Sequence, residues 1–310
     1  MRLLLKTMLL STFFALSLYP QYAAANFKAV ADFGENPGEL SASYFTNKKT
    51  SNNLVVLLHG CVQNGEELAK QSGFLGQAES QNFALLIPQQ NQNNNIKTCF
   101  NWFSAQDTDK DKGESLSLKN IINHVKDEVQ AKHIYIVGLS AGGAMASAMI
   151  VNYPNMFESG AIIAGVPYPC ADNLIKAISC MRTGPSQSAK ELTELVKQTN
   201  EKQGHWPSLT IWTGTADKVV NSANSTVLAQ HWAMLTQANS KETLSTEEGY
   251  QISRWNNDKG LPLVTLVEID GMGHGIPVNP QKNNGGIEAP FVLKAPISAA
   301  LHITKHWNLN

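Results

Sequence analysis

The chain is 310 residues long, with a formal net charge of −1 and 16% charged residues against 43% hydrophobic ones. A chain of that size can bury one large core, and its near-neutral charge excludes the basic footprint of a nucleic-acid-binding protein. Asn, Gln, Ser and Thr are plentiful instead, as on a neutral, polar surface working outside the cytoplasm.

Arg2 and Lys6 give a positive start, Met8 to Tyr19 is mostly apolar, and Ala23-Ala24-Ala25 offers a small-residue cleavage site. Residues 1–25 therefore read as a secretory signal peptide, because the apolar run falls short of the about 20 residues that span a bilayer. The expected mature chain, 26–310, is a single α/β domain, monomeric, secreted to an extracellular or periplasmic location, with neither a membrane nor a nucleic acid as partner. Export lets Cys61, Cys99, Cys170 and Cys180 oxidise. Four cysteines permit three pairings. The short spacing of Cys170 and Cys180 makes a local bridge easy, which leaves Cys61 with Cys99, each in a predicted loop. The cysteines form no CxxC pair and have no histidine cluster beside them, so no metal site is expected.

In chain order, Leu54 to Leu58 reads as a buried strand, and Phe83 to Ile87 as a second stopped by Pro88. Gln89 to Asn95 reads as a polar surface loop. Glu114 to Gln130 is amphipathic and helical. His133 to Val137 is a third strand and Ala141 to Tyr153 a helix rich in Ala and Met. Strands follow at 160–165, 209–212 and 263–269, and 298–307 closes the chain as a helix. The stretch 171–207, with a polar helical run at 189–202, reads as an excursion that covers part of the site. Continuous apolar strands separated by helices predict a mostly parallel central sheet with helices on both faces. Active sites of such sheets lie at the carboxyl ends of the strands.

Gly138-Leu139-Ser140-Ala141-Gly142 matches G-x-S-x-G, the tight turn that lifts a nucleophilic serine above a sheet edge. It follows the strand 133–137 and opens the helix 141–153, the context the motif requires. Such a serine needs a base, and the base needs an orienting acid, in the chain order Ser, Asp or Glu, His. His274 stands in a glycine-rich loop after the 263–269 strand. His205 lies in the excursion, His231 on a predicted helix, and His302 and His306 on the last helix, where solvated or core roles fit better. Asp217 follows the 209–212 strand. Asp270, four residues before His274, reads as a loop-fixing residue, and Asp258 lies at the wrong sheet edge. Ser140, Asp217 and His274 are thus the expected catalytic triad. The oxyanion hole needs two N–H donors. Ala141 follows the nucleophile, and Cys61 lies in the loop after the first strand, where His59 reads as a packing residue. The chemistry is acyl transfer through an acyl-enzyme, with no metal or organic cofactor required.

Six strings resemble, in order, the motifs of the polyhydroxybutyrate depolymerase family of esterases. They are Leu58-His59-Gly60-Cys61 followed by Gln63, Cys99-Phe100-Asn101-Trp102-Phe103, Gly138 to Ala146, Ala164-Gly165-Val166-Pro167-Tyr168, Trp212 to Asp217, and Gly271-Met272-Gly273-His274. The resemblance runs from about residue 40 to the C-terminus. It implies an α/β-hydrolase fold, the triad above, an oxyanion N–H on Cys61, and substrates among short-chain hydroxyalkanoate polyesters or their oligomers. It marks Gln63 and Trp102 as pocket candidates. Trp102 either lines an acyl pocket or packs its own loop. Feruloyl and acetyl-xylan esterases belong to the same broad family. Two departures stand out. Extracellular polymer depolymerases often carry a linker and a C-terminal substrate-binding domain, and a chain that closes with its final helix is expected to attack crystalline polymer poorly. Gly275-Ile276-Pro277 stands where Ala-Trp-Pro is expected, so a tryptophan wall is missing. The competing readings are an esterase of plant polysaccharide and a non-catalytic binding protein on a hydrolase scaffold.

Overall fold

The computed structural model describes residues 26–199, 204–245 and 248–309. The expected signal peptide, and the end of the helical run at 200–202, lie outside the described residues.

Among the described residues, ten strands form one sheet. They are β1 (Lys28–Ala29), β2 (Ser41–Phe45), β3 (Asn53–Leu58), β4 (Ala84–Gln89), β5 (His133–Leu139), β6 (Ser159–Ile163), β7 (Ser208–Gly214), β8 (Ser240–Ser245), β9 (Tyr250–Asn256) and β10 (Pro262–Ile269). Their order is β1-β2-β4-β3-β5-β6-β7-β10-β9-β8. The central pairs from β4 to β10 are parallel, and the outer pairs β1–β2, β2–β4, β10–β9 and β9–β8 antiparallel. A separate two-stranded parallel pair joins β11 (Ile276–Val278) to β12 (Val292–Lys294).

The apolar runs are continuous because both faces of the sheet are covered. Leu54, Val56 and Leu58 of β3 join one core cluster, with Leu118, Ile121, Ile122 and Val125 of the helix Gly113–Val129. Val55 and Leu57 point to the other face, against Phe74 and Ala78 of the helix Phe74–Gln81 and Ala299, Ala300 and Ile303 of the helix Ala299–His306. All five of these β3 side chains are fully buried. Burial of each contributes about 1.5–3 kcal/mol, which makes β3 a strand the core cannot lose.

Two expectations are corrected. The strand expected to stop before Pro88 runs through it to Gln89. Pro88 lacks an N–H for the ladder, but β3 pairs with β4 only as far as Leu86, and Pro88 faces β2 alone, opposite Ala42. The segment 89–95 is no simple surface loop, because Gln90 is buried and its side chain is bonded within the fold. In the excursion after β6, the helix Leu174–Thr183 reaches the site, whereas the helix Ala189–Thr199 packs on the helix Ala223–Thr236.

Candidate active site

The carboxyl ends of the parallel strands gather the chemistry at one edge. Ser140 follows β5, the segment His59-Gly60-Cys61 follows β3, Asp217 lies just past β7 and His274 just past β10. Ser140 sits at φ 56°, ψ −118°, immediately before the helix Ala141–Asn152. That left-handed φ is costly for a residue with a Cβ, and the surrounding turn tolerates no bulk. A Cβ on Gly142 would stand 2.3 Å from the Leu58 carbonyl oxygen, and one on Gly138 would stand 2.1 Å from that of Gly142. The glycines let the turn close, and the turn aims the Ser140 hydroxyl outward.

His274 Nε2 lies 2.8 Å from Ser140 Oγ, and His274 Nδ1 lies 2.7 Å from Asp217 Oδ2. The Asp217 side chain is fully buried and the His274 side chain 9% exposed. Asp217 Oδ1 accepts the backbone N–H groups of Val219 at 2.8 Å and Val220 at 2.9 Å. With both oxygens engaged, the carboxylate can orient the imidazole and stabilise it when protonated. Asp270 is exposed and its backbone N–H bonds to Gly249, while Asp258 is exposed in the turn between β9 and β10. His205 is exposed, and His231 is buried with Nδ1 beside Thr193 Oγ1. His302 packs edge-on against Trp212, and His306 is half-buried.

Cys61 and Ala141 line the same cavity as Ser140. Ala141 opens its helix, so its N–H has no acceptor within that helix. Gly60 approaches Ser140 so closely that a Cβ there would lie 3.3 Å from Ser140 Cβ. Gln63 Oε1 accepts the Gly60 N–H at 2.7 Å and braces the loop, besides lining the cavity. The Cys61–Cys99 disulfide ties the same loop to the segment before Trp102. Beneath it His59 is wholly buried. Its Nδ1 donates to the Gly60 carbonyl at 2.7 Å, Nε2 accepts the Gln90 N–H at 3.1 Å, and its ring lies 5.0 Å from that of Phe100. Burial pushes the His59 pKa down to about 4, which keeps the ring neutral as these two bonds require.

The site opens into a cavity of about 330 Å³ walled by Trp102, Val166, Met181, Val219, Val220 and Phe291, with Gln63, Ser140 and His274 also at its surface. Trp102 both lines it and packs edge-on against Phe103, at 5.9 Å between ring centroids. The second disulfide, Cys170–Cys180, and a bond from Asn224 Nδ2 to the Cys180 carbonyl hold the helix that supplies Met181. Among the described residues no group of His, Cys, Asp and Glu is arranged to hold a metal ion, and no helix is long and apolar enough to cross a membrane.

Sequence reasoning missed Glu114. Its carboxyl is wholly buried at the start of the helix Gly113–Val129. Oε1 accepts from Gln90 Nε2 at 2.5 Å and Asn94 Nδ2 at 3.2 Å, and Oε2 accepts the Asn101 N–H at 2.8 Å. One carboxyl thus joins the segment behind His59 to the segment that carries Trp102. Burial raises its pKa to about 8, against the pull of the Asn101, Gln90 and Asn94 donors. The acidic residue in the first turn of a helical run was the available signal, but nothing in the sequence places it under the site. Met181, Val219 and Val220 sit beside Cys180 and Asp217 in sequence, whereas Phe291 carries no sequence signal.

The family profile described as "Esterase PHB depolymerase" matches residues 45–241. Poly(3-hydroxyalkanoate) depolymerase C of Paucimonas lemoignei is 31% identical over 288 residues, which span 90% of this chain and 69% of that protein. Acetylxylan esterase A of Aspergillus oryzae is 25% identical over 274 residues, spanning 85% of this chain and 88% of that one. Among solved structures, the acetyl xylan esterase from Aspergillus awamori superposes with a TM-score of 0.76 over 92% of this chain and all of that one, at 16% identity. A likeness at that identity bears on the fold, which is that of the α/β-hydrolase esterases. By the profile match and the identity to the bacterial depolymerase, the chain belongs to the esterase PHB depolymerase family and is a carboxylic ester hydrolase.

Proposed function

We propose that this protein is a secreted serine esterase that hydrolyses short-chain polyesters of the poly(3-hydroxybutyrate) type, or their oligomers, with Ser140, His274 and Asp217 as its triad. The observation that carries this reading is the unbroken relay from Asp217 Oδ2 through His274 to Ser140 Oγ at the mouth of an apolar cavity. The mechanism follows from the geometry. Ser140 Oγ attacks the ester carbonyl carbon while His274 Nε2 takes its proton. Asp217 holds the imidazole in the tautomer with Nδ1 protonated and stabilises the imidazolium. The N–H groups of Cys61 and Ala141 receive the developing oxyanion. His274 then returns its proton to the departing alkoxide. Water, deprotonated by the same imidazole, attacks the acyl-enzyme carbonyl, and the imidazolium gives that proton to Ser140 Oγ as the acid leaves.

No formally charged side chain is needed to line the cavity wall, which suits a neutral acyl group with a small apolar branch. The identity to a poly(3-hydroxyalkanoate) depolymerase supports that substrate class. The likeness to acetylxylan esterase A favours acetylated polysaccharide as the second reading. Two disulfides support an oxidising compartment; on this reading residues 1–25 are removed on export and 26–310 acts as one monomeric domain.

A substrate panel tests this. Amorphous poly(3-hydroxybutyrate), hydroxybutyrate oligomers, methyl ferulate and acetylated xylan are offered to the purified mature protein and to Ser140→Ala. Release of 3-hydroxybutyrate by the wild type alone is the expected result. Turnover confined to acetyl or feruloyl esters moves the substrate to polysaccharide and leaves the triad standing. Undiminished turnover by Ser140→Ala removes the triad.

A further inference from the structure

The sequence lacks a tryptophan after His274, yet the flank of that histidine is not bare. Ile276 is fully buried in β11, within the core. The ring beside His274 belongs to Phe291, with centroids 6.2 Å apart and planes at 79°. Phe291 also lines the catalytic cavity. Gly275 makes this approach possible, since a Cβ there would stand 2.6 Å from the Phe291 carbonyl oxygen.

The backbone of Phe291 is unusual for so bulky a residue. Its φ is +61°. Ala289-Pro290-Phe291-Val292 closes on itself, with the Val292 N–H donating to the Ala289 carbonyl at 2.9 Å and the Ala289 N–H to the Val292 carbonyl at 3.0 Å. A tight turn with proline second and a positive φ third is built for glycine or asparagine at that third place. Phenylalanine there meets steric resistance, and the residue is still 39% exposed, so burial does not account for it. Strain held on a part-exposed aromatic beside a reactive imidazole points to a role in recognition.

The side of the site it serves follows from the chemistry, on the reading that Ser140 and His274 carry out acyl transfer. The His274 proton goes to the departing alkoxide, so the alcohol portion of the ester lies by the imidazole. Trp102 and Val166 pack with Ala141 and Ala144 in a cluster that does not include Phe291. We propose that Phe291 is the specificity-determining residue for the alcohol side of the ester, its ring selecting alcohols with an apolar body over small or polyhydroxylated ones.

The test holds the acyl group constant and varies the alcohol. Methyl 3-hydroxybutyrate and the methyl ester of the hydroxybutyrate dimer are compared, as are methyl acetate and benzyl acetate, with wild type, Phe291→Gly, Phe291→Tyr and Ser140→Ala. Phe291→Gly is expected to lower kcat/KM about tenfold for the dimer and benzyl esters, mainly through KM. The methyl esters should change by less than about twofold. Its melting temperature should hold or rise, since glycine suits the turn, and Phe291→Tyr should restore the preference. An equal fall for methyl and larger esters, no fall at all, or a loss that tracks a lowered melting temperature would overturn the proposal. If the wild type cleaves only the acetates, the polyester reading fails while the benzyl comparison still decides the role of Phe291. Activity that persists in Ser140→Ala overturns both.

Discussion

The Asp217 carboxylate is held from both ends, by His274 Nδ1 on Oδ2 at 2.7 Å and by the Val219 and Val220 N–H groups on Oδ1. One residue therefore reads the tautomer of the imidazole and shapes the loop whose valines wall the cavity.

Asp217→Asn separates these duties. An amide has only one oxygen, which must either leave the valine N–H groups facing an NH2 or present that NH2 to His274 and hold the wrong tautomer. The expected fall in kcat is about 10³- to 10⁴-fold, with the circular dichroism spectrum retained. A fall smaller than about tenfold would take the orienting role away from Asp217 and direct attention to Asp270.

The Cys61–Cys99 disulfide closes a loop with a sequence separation of 38 residues. Chain-entropy arguments assign such a loop about 4 kcal/mol. Replacing both cysteines by alanine should lower the melting temperature and also lower kcat, because the Cys61 N–H must be in place before charge develops. A double variant with a lower melting temperature and an unchanged kcat would show the bridge to be structural alone.

Buried titratable groups set opposite slopes of stability against pH. Burial holds His59, His231 and His302 down to about 4. In the unfolded chain they bind protons near pH 6.5, so their contribution is present above that pH and is lost as pH falls toward 4. Burial holds Glu114 up to about 8. Its contribution is complete below the unfolded value near 4.3 and is lost as pH rises through 8. Three histidines outweigh one glutamate in the acid window, and Glu114 acts alone among these four above pH 6.5. The urea midpoint is expected to rise from pH 4 to 6.5 and decline from 6.5 to 8. In Glu114→Gln the decline should flatten; a slope as steep as that of wild type would assign it to other groups.

Much of the frame was legible in the sequence, for a physical reason. The strands β3, β5, β6, β7 and β10 are buried on both faces over most of their length, so each is written as a mostly apolar run that needs no partner to be recognised. The outer strands were not legible. Ser41–Phe45 and Tyr250–Asn256 mix polar and apolar residues, and pairing rather than composition makes them strands. Pro88 misled because a proline is read as a stop unless the side of the strand it faces is known. Gln89 to Asn95 misled because amides look the same in sequence whether they meet water or a buried carboxylate.

Ser140, Asp217 and His274 could be singled out because each follows a strand and the elbow glycines are a local steric requirement. By itself the sequence determined the order of the central strands along the chain, the tight serine turn and the residue types available at the strand ends, since these depend on neighbours in the chain. Only the tertiary structure decided that a carboxyl from Glu114 joins the segment behind His59 to the segment that carries Trp102, and that the Phe291 ring stands beside His274. Those contacts join residues far apart in sequence, and no local pattern of side chains encodes a distance across the fold.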